Sequence, residues 1–589
     1  MKIKIISLLM ALIMAVGMLA SCGGDGDGTG GGGGTGGGGD DVTGKVYWRE
    51  TELIFEMNKH SQSDELSSEV ERYYAGEASE GELVDDFVAE RNTAAAKEAN
   101  VRIEYSYLPD KVKEFGWAQN VNRIYNDTAT YGPGSVDMYC NFAYDMTCAS
   151  IKGCFANLRS TSYGKGNNFF RFNDADYNPV GETYFDSEAG EGYFYDYMKS
   201  LSLSDDKLYC LGSNYCTDLV RAFLVVPVNI NLMNRIEKNS LPTPEYYDDE
   251  TGAMAGPITA GADQTNIQHF YDIVWNNAWT YDVLAAYSHA IYLNSNSNDP
   301  ETGTSNLGDT LGFALGGTSG LPASGILYTT SVRIIEKTPI EGQPGKYNLN
   351  YPETNPQFSE FALALNNLME RGSSDGIVYV SSADATAAGA TTDLLAIRNE
   401  FVADRMLFGG IIALGSLEDE SSYQTMRGNG KPGFGIVPVP LYRERSAEVK
   451  DEYNTLVHNL ARIVAIAAQT DKFEMCSAFL DYQSRNSKDV LNTYYEQNLA
   501  ASVRGDTTED NVKMLTYIRN HVRDCFDKTF EDVIGNYNSG DDLAAMRRWH
   551  EILRSFKFQV TSMEIEYDRL YKDKMNDIQA TLAQWNALP

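Results

Sequence analysis

The sequence predicts an α/β protein with parallel and mixed sheets and a helical C-terminal region. The chain has 589 residues, which is too many for one core and enough for two or three lobes. Its hydrophobic fraction of 43% is sufficient for a buried interior. A strand, a helix and a strand follow one another from about residue 50, and apolar residues recur at helical spacing near the C-terminus.

The first elements follow from the spacing of apolar residues. Leu53 to Met57 is typical of a buried strand, and a capping box of Ser79 with Glu82 predicts a helix start. From Val101 to Tyr107, apolar and polar residues alternate with the period of a strand. Together these elements predict a βαβ unit, with a parallel strand pair and a right-handed crossover.

Later elements are predicted in the same way. The expected strands are 136–142, 434–440 and 461–468, with a hairpin at 205–209. The expected helices are 281–292, 357–371 and 393–404. Apolar stripes that predict packing faces of helices occupy 543–556 and 563–585. Segments 240–265 and 292–310 have the composition of insertions that either roof a cleft or decorate a lobe.

The N-terminal residues predict export and lipidation. Lys2 and Lys4 precede an apolar stretch from Ile5 to Met18, and Leu19-Ala20-Ser21-Cys22 resembles the lipobox of bacterial lipoproteins. The resemblance implies a signal peptide over 1–21 and a lipid anchor on the sulfur of Cys22. The alternative is an ordinary secretory signal cut near Ala20.

Residues 23–41 consist of Gly, Asp and Thr alone. Such a stretch buries no apolar area, so 22–45 is predicted to be a flexible tether that begins at the lipidated cysteine. A phosphate-binding loop is excluded because no strand precedes the glycines and no Lys-Ser/Thr pair follows them.

Charge and cysteine content narrow the function further. A formal net charge of -34 disfavours nucleic acid and anionic lipid as partners. Besides Cys22 an odd number of cysteines remains, and none has the spacing of a metal site. Cys148 with Cys154, and Cys210 with Cys216, are placed to bridge if their loops bend. The other interpretation is that most are buried small apolar residues.

Several short segments follow one another in a characteristic order: VDMY at 136–139, GCFANL at 153–158, DKLY at 206–209, NINL at 229–232, AWTYDVL at 278–284, LGF at 311–313, MLFG at 406–409 and FGIVPVP at 434–440. This ordered set resembles the family 1 extracellular solute-binding proteins of carbohydrate ABC importers, and the likeness runs from about residue 50 to 530. At 228 a Val stands where that family has a Tyr.

The resemblance implies a periplasmic-binding-protein-like (type II) fold whose two lobes close on a solute. One lobe comprises 46–226 plus 456–525, and the other comprises 227–455 plus 526–589. The implied protein is not an enzyme and uses no cofactor or metal. It is a monomer on the extracellular face of the cytoplasmic membrane, and it passes its solute to ABC permease transmembrane subunits. A neutral mono- or oligosaccharide is the first expectation; an organic acid or peptide is the alternative.

Family ligand contacts lie in loops at the carboxyl ends of strands. By position, Asn141, Tyr144 and Asp145 are the first candidates, with Tyr144 stacking on a sugar face and the other two bonding hydroxyls. The alternative for Asp145 is a helix cap. The remaining candidates are Tyr215, Asp218, Arg221, Trp279, Tyr453 and His458.

Each of the later candidates has a structural alternative. Arg221 either contacts ligand or holds a structural carboxylate, and His458 either contacts ligand or is a satisfied structural residue. Thr280 is predicted to cap a helix that has Asp282 in its first turn, which makes Trp279 a packing anchor as readily as a ligand platform.

Two other function classes are open to the sequence. One is a surface lipoprotein that hydrolyses glycans, although no hydrolase motif is present and carboxylates are too numerous to nominate a pair. The other is an almost wholly helical glycan-capturing lipoprotein of the outer-membrane type, which would lack the predicted strands.

Overall fold

The computed structural model describes one compact unit within Trp48–Pro589. Outside the described residues lie the signal peptide, the tether with Cys22, the Ser79–Glu82 capping box, the stripe at 543–556, and Tyr215. The described residues are 51–57, 83–107, 117–130, 135–159, 170–172, 179–183, 192–214, 217–295, 306–317, 320–350, 355–372, 375–418, 433–458, 461–494, 508–523, 526–530 and 575–589.

The strands are short and are spread along the whole described chain. They are β1 (Thr51–Met57), β2 (Val101–Tyr107), β3 (Met138–Phe142), β4 (Phe170–Phe172), β5 (Pro179–Thr183), β6 (Leu224–Asn229), β7 (Tyr246–Asp248), β8 (Ala253–Ala255), β9 (Leu311–Gly316), β10 (Glu336–Pro339), β11 (Tyr347–Asn350), β12 (Ile377–Val380), β13 (Met406–Phe408), β14 (Ile412–Ala413), β15 (Phe434–Val437) and β16 (Arg462–Ile466).

Helices separate most of these strands. They are α1 (Leu83–Ala99), α2 (Trp117–Thr130), α3 (Ala143–Ile151), α4 (Tyr195–Ser200), α5 (Thr217–Arg221), α6 (Ile230–Met233), α7 (Asn266–Trp275), α8 (Tyr281–Ile291), α9 (Gly320–Tyr328), α10 (Pro356–Gly372), α11 (Ser382–Ala387), α12 (Asp393–Val402), α13 (Phe473–Arg485), α14 (Lys488–Thr493), α15 (Thr508–Asn520) and α16 (575–587).

The first half of the molecule is built on a four-stranded sheet in the order β16-β3-β1-β2. Strand β1 runs parallel to both β2 and β3, and β16 is antiparallel to β3. The predicted βαβ unit is therefore confirmed. The third predicted strand begins at Met138, two positions later than expected, and Asp137 at its start serves as a hydrogen-bond acceptor instead.

The second half is built on a six-stranded sheet in the order β12-β9-β13-β6-β14, with β15 also paired to β6. Strands β12, β9 and β13 are mutually parallel, and β6 is antiparallel to β13, β14 and β15. The described residues thus form an α/β fold, and each of the two sheets contains both parallel and antiparallel strand pairs, as predicted. An almost wholly helical glycan-capturing lipoprotein is consequently excluded.

Two passages of chain connect the halves side by side. The backbone N–H of Leu224 donates to the carbonyl of Leu456 (2.9 Å), and that of His458 donates to the carbonyl of Ala222 (2.9 Å). A third passage lies beside them, because the N–H of Thr455 donates to the carbonyl of His521 (2.8 Å). We refer to 222–224 with 456–458 as the paired crossing.

The predicted hairpin at 205–209 is wrong. Asp205 and Asp206 form a turn, and the following residues do not pair back on this segment. Instead, the carbonyl of Leu208 accepts from the N–H of Leu158 (2.6 Å), and Leu211 forms an antiparallel bridge with Val464 of β16. The segment is extended because distant strands supply its partners.

The insertion at 240–265 contains a small hairpin made of β7 and β8. Arg445 donates to the carboxylate of Asp249 (2.8 Å), and the ammonium of Lys450 lies 3.5 Å from the centre of the Tyr247 ring. These contacts hold the hairpin against the segment that follows β15.

The described cysteines support the interpretation that most of the cysteines are buried small apolar residues. Cys140, Cys148, Cys154, Cys210 and Cys476 are all buried free thiols. A bridge between Cys148 and Cys154 is therefore wrong, and Cys210 is not bridged either. Burial raises the pKa of Cys154 to about 11 and that of Cys210 to about 12, so both thiols are protonated at neutral pH.

Asp137 joins three segments of the first half. Its carboxylate accepts from the backbone N–H of Ile54 in β1 (2.9 Å), from the hydroxyl of Thr470 (2.6 Å) and from the ammonium of Lys472 (2.9 Å). Because the side chain is fully buried, these donors replace the water that the charge has lost.

We predict that Asp137→Ala lowers the free energy of unfolding by about 3 kcal/mol, because it leaves a buried N–H and an ammonium without their acceptor. Denaturant unfolding followed by tryptophan fluorescence measures the change. Glu104→Ala, at an exposed position on β2, is the control and is expected to stay within about 0.5 kcal/mol. Equal stabilities for the two variants would contradict the role given to Asp137.

Candidate functional site

The carboxyl edge of the four-stranded sheet holds three of the predicted site residues. Strand β3 ends at Phe142, and α3 begins at the next residue. Asn141, Tyr144 and Asp145 are thus brought together at this edge, as predicted, and all three are buried. The Asn141 side-chain oxygen accepts from the backbone N–H of Phe142 (2.8 Å).

Asp145 is fully enclosed and only half satisfied. One carboxylate oxygen accepts from the Asn120 amide of α2 (2.6 Å), and the other, Oδ1, has no hydrogen-bond partner among the described residues. Burial raises the pKa of Asp145 to about 7, against the opposing effects of the Asn120 hydrogen bond and the positive charge of Arg123. The Asp145 carboxyl is therefore expected to change its protonation state near neutral pH.

The helix-cap alternative for Asp145 is wrong. The N-cap position of α3 is Phe142, which makes no side-chain capping hydrogen bond, and Asp145 lies inside the first turn. There its carboxyl oxygen holds α2 against α3 through Asn120.

A charged network that the sequence analysis missed lies next to Asp145. Arg123 of α2 donates to both carboxylate oxygens of Glu56 on β1 (2.7 and 3.1 Å) and to Asp127 (2.7 Å). Burial raises the pKa of Glu56, and Arg123 opposes this effect. The signal was present in the sequence, because Asn120, Arg123 and Asp127 follow one another at i, i+3 and i+7 on one helix face.

The paired crossing holds a second group of predicted residues. Arg221 is the last residue of α5, one residue before the crossing, and its side chain is buried. It packs so closely on Gly415 that a Cβ at position 415 would lie 3.3 Å from the Arg221 Nε. His458 is partly buried, and burial with the positive charge of Lys528 lowers its pKa to about 3. Its imidazole is therefore neutral at physiological pH.

Two predicted residues near the crossing are described incompletely or not at all. Asp218 lies within α5, whose backbone is described, and Tyr215 lies outside the described residues. Thr217, the first residue of α5, is fully buried, and its hydroxyl finds no hydrogen-bond partner within the described part of the chain.

Trp279 and Tyr453 form a third group, in the core of the second half. The Trp279 backbone N–H donates to the Tyr453 hydroxyl (3.0 Å), and its indole N–H donates to the carbonyl of Pro438 (3.0 Å). Rings of Phe270 and Phe408 lie 4.9 and 5.0 Å from the indole. Both residues are fully buried, which supports the packing role given as the alternative for Trp279.

The predicted start of α8 explains why Trp279 is fixed so firmly. Thr280 is the N-cap, its side chain accepting from the backbone N–H of Val283, and Asp282 lies in the first turn. Both capping predictions are confirmed.

No metal site is formed by the described residues, since no three of their His, Cys, Asp or Glu side chains cluster closely enough to bind an ion. A search for long apolar helices in the same residues finds none that could span a bilayer.

Comparison with known proteins gives similar solved structures but no family match. No family model and no curated protein matches the chain. The GacH receptor of Streptomyces glaucescens, solved unliganded and with acarbose, is 11% identical with a TM-score of 0.43; the alignment covers 92% of this chain and 100% of that one.

Two further solved structures are similar to the chain. The galacto-N-biose-/lacto-N-biose I-binding protein of the ABC transporter from Bifidobacterium longum is 11% identical, with a TM-score of 0.41 over 92% of this chain and 99% of its own. A family 1 extracellular solute-binding protein from Alicyclobacillus acidocaldarius is 9% identical, with a TM-score of 0.40 over 91% and 99%.

We predict that Asp145→Asn stabilises the protein increasingly as pH rises. A carboxyl whose pKa is raised in the folded state binds its proton more tightly there, so the native chain loses stability between its ordinary pKa and about 7. The gain is expected to be larger at pH 8 than at pH 5 by on the order of 3 kcal/mol. Unfolding curves at both pH values measure it, with the exposed Glu90→Gln as control. A pH-independent difference would refute the assignment.

We predict that Trp279→Ala lowers the free energy of unfolding by about 3–5 kcal/mol, because it opens a cavity in an aromatic core. Tyr453→Phe keeps the ring but strips the Trp279 N–H of its acceptor, and is expected to lower the same quantity by about 1–3 kcal/mol. Chemical denaturation measures both. If either variant abolishes solute binding while unfolding like the native chain, the packing role is wrong.

Proposed function

We propose that this protein is the lipid-anchored, extracytoplasmic solute receptor of an ABC importer. It captures a small polar solute between its two halves and releases it chemically unchanged to the permease. The observation that carries the proposal is the paired crossing: two sheets, each with its own helices, are joined by two passages of chain that hydrogen-bond to each other, and in this proposal they act as a hinge.

Two buried polar groups, one at the sheet edge and one near the crossing, support a solute site. Asp145 Oδ1 and the Thr217 hydroxyl are buried without partners among the described residues, although buried polar groups normally find one. Hydroxyl groups of a bound solute would supply donors and acceptors to such atoms. In this proposal the halves part to admit a solute to these atoms and close again around it.

Sugars and polyols are the first ligand class to test. They present many hydroxyl groups and a flat apolar ring face, on which the ring of Tyr144, buried at the same edge in this structure, would stack once a solute has entered. The net charge of -34 disfavours polyanionic ligands. Lipid on Cys22 and the glycine-rich tether would keep the receptor near its permease at the outer face of the membrane.

We predict that calorimetric titration with mono-, oligosaccharides and polyols finds a ligand that is bound stoichiometrically and recovered intact. Tyr144→Ala is expected to weaken its binding about tenfold, which corresponds to about 1.4 kcal/mol. Glu90→Gln, on the surface of α1, is the matched control. Thermal unfolding checks that both variants fold.

Two results would overturn the proposal. One is steady release of cleaved product from a labelled oligosaccharide, which would establish a glycan hydrolase. The other is silence across sugars, organic acids and peptides, while the protein is shown to be folded.

A further inference from the structure

The residues 202–209 lie on the outer flank of the four-stranded sheet. Leu211 pairs with Val464 on the free edge of β16, the side away from β3 and β1. Three residues before Leu211, the carbonyl of Leu208 accepts a hydrogen bond from the N–H of Leu158. The N–H of nearby Ala156 donates to the carbonyl of Ile466, at the end of β16. Because β16 is antiparallel to β3, this position is level with the amino end of β3, opposite the edge that holds Asp145.

Helix α16 docks on this flank through its last turn. Trp585 is fully buried, donates its indole N–H to the Ser204 hydroxyl (3.0 Å), and meets the Tyr209 ring edge-on at 5.0 Å. The Lys207 ammonium donates to the backbone carbonyls of Trp585 (3.0 Å), Asn586 (3.2 Å) and Leu588. A cation at the carboxyl end of a helix satisfies exposed carbonyls and the helix dipole together.

The same C-terminal region also grips the second half. The Gln579 amide on α16 donates to the carbonyl of Leu349 in β11 (3.1 Å). The Asp527 carboxylate accepts from the backbone N–H of Ile334 (3.1 Å). The ammonium of Lys337, three residues after Ile334, lies 4.0 Å from the centre of the Phe526 ring. Segment 526–530 and helix α16 touch each other, because the Phe530 ring meets Trp585 edge-on.

The hairpin of β10 and β11 lies between β9 and β12 of the second sheet along the chain, and it contacts the first half directly at this flank. The N–H of Asp205 donates to the carbonyl of Gly345 (2.9 Å), the Tyr347 hydroxyl donates to the Asp205 carboxylate (2.7 Å), and Lys337 donates to the carbonyl of Ser202 (2.8 Å). The second half is therefore fastened to the first half beyond β16, as well as through the paired crossing.

We propose that segment 526–530 and helix α16 form a strap that resists closure of the two halves. A rotation at the paired crossing that carries the second half over the carboxyl ends of β3 and β1 carries it away from the flank beyond β16. The contacts of Trp585, Lys207 and Gln579 must loosen in that motion. Part of the free energy of solute binding is then used to loosen the strap contacts. The strap therefore lowers the apparent affinity for the solute.

This proposal rests on the proposed function for its effect on affinity, but one readout needs no solute. Spin labels at Glu90→Cys on α1 and Leu363→Cys on α10, both exposed, report the distance between the halves in the full chain. The described native cysteines are buried, and labelled protein without the added cysteines gives the background. Lys207→Met keeps an unbranched side chain, one heavy atom shorter, and removes the ammonium that holds α16.

The strap predicts that Lys207→Met shifts or broadens the label-to-label distance distribution without any added solute. It also predicts that a solute identified by calorimetry binds about threefold to tenfold more tightly. Gln579→Ala is expected to act in the same direction more weakly. Gln584→Ala, at an exposed position of the same helix, is the matched control and is expected to resemble the native chain.

The outcomes separate the two proposals. If no solute is found but Lys207→Met changes the distance distribution, the strap stands and the receptor function falls. If a solute binds while Lys207→Met and Gln579→Ala change neither the distribution nor the affinity, the strap is refuted. Weaker binding by both variants, with native thermal unfolding, would also refute it.

Discussion

The paired crossing is the constraint on which the architecture depends. Two backbone hydrogen bonds, from Leu224 to Leu456 and from His458 to Ala222, align the outgoing and returning chain. The outgoing passage continues into β6, which is paired on both sides in the second sheet, and the returning one continues into β16, which edges the first. Each sheet therefore contains a strand that continues directly from the paired crossing.

Local pattern was sufficient for much of the fold. Alternation over 101–107 predicted β2, and a threonine before an apolar helical face predicted the start of α8. It failed at 205–209, where turn-like residues indicated a hairpin. The partners of that segment, Leu158 and Val464, are distant in sequence, and no local periodicity encodes which remote strand a segment will join.

The site was predicted by position but not by environment. Asn141, Tyr144 and Asp145 were expected at a strand end, and they lie there. The state of the Asp145 carboxyl depends on burial and on Asn120 and Arg123, which another helix supplies. The spacing of Asn120 and Arg123 is compatible with one helix face, a signal that the sequence analysis missed, and which sheet edge this face covers depends on tertiary packing. Roles in solute binding stay predictions for all of the candidates.

The buried thiols bear on how such a chain matures. Secreted proteins often depend on an oxidising compartment to complete their covalent structure. Here the described cysteines sit inside the core, and burial raises the pKa of Cys154, Cys210 and Cys476 so that these thiols stay uncharged, with Cys210 hydrogen-bonded to the Ser150 hydroxyl at 3.2 Å. Packing of this interior thus needs no sulfur oxidation, and this part of the molecule can assemble equally well in reducing, oxygen-free surroundings.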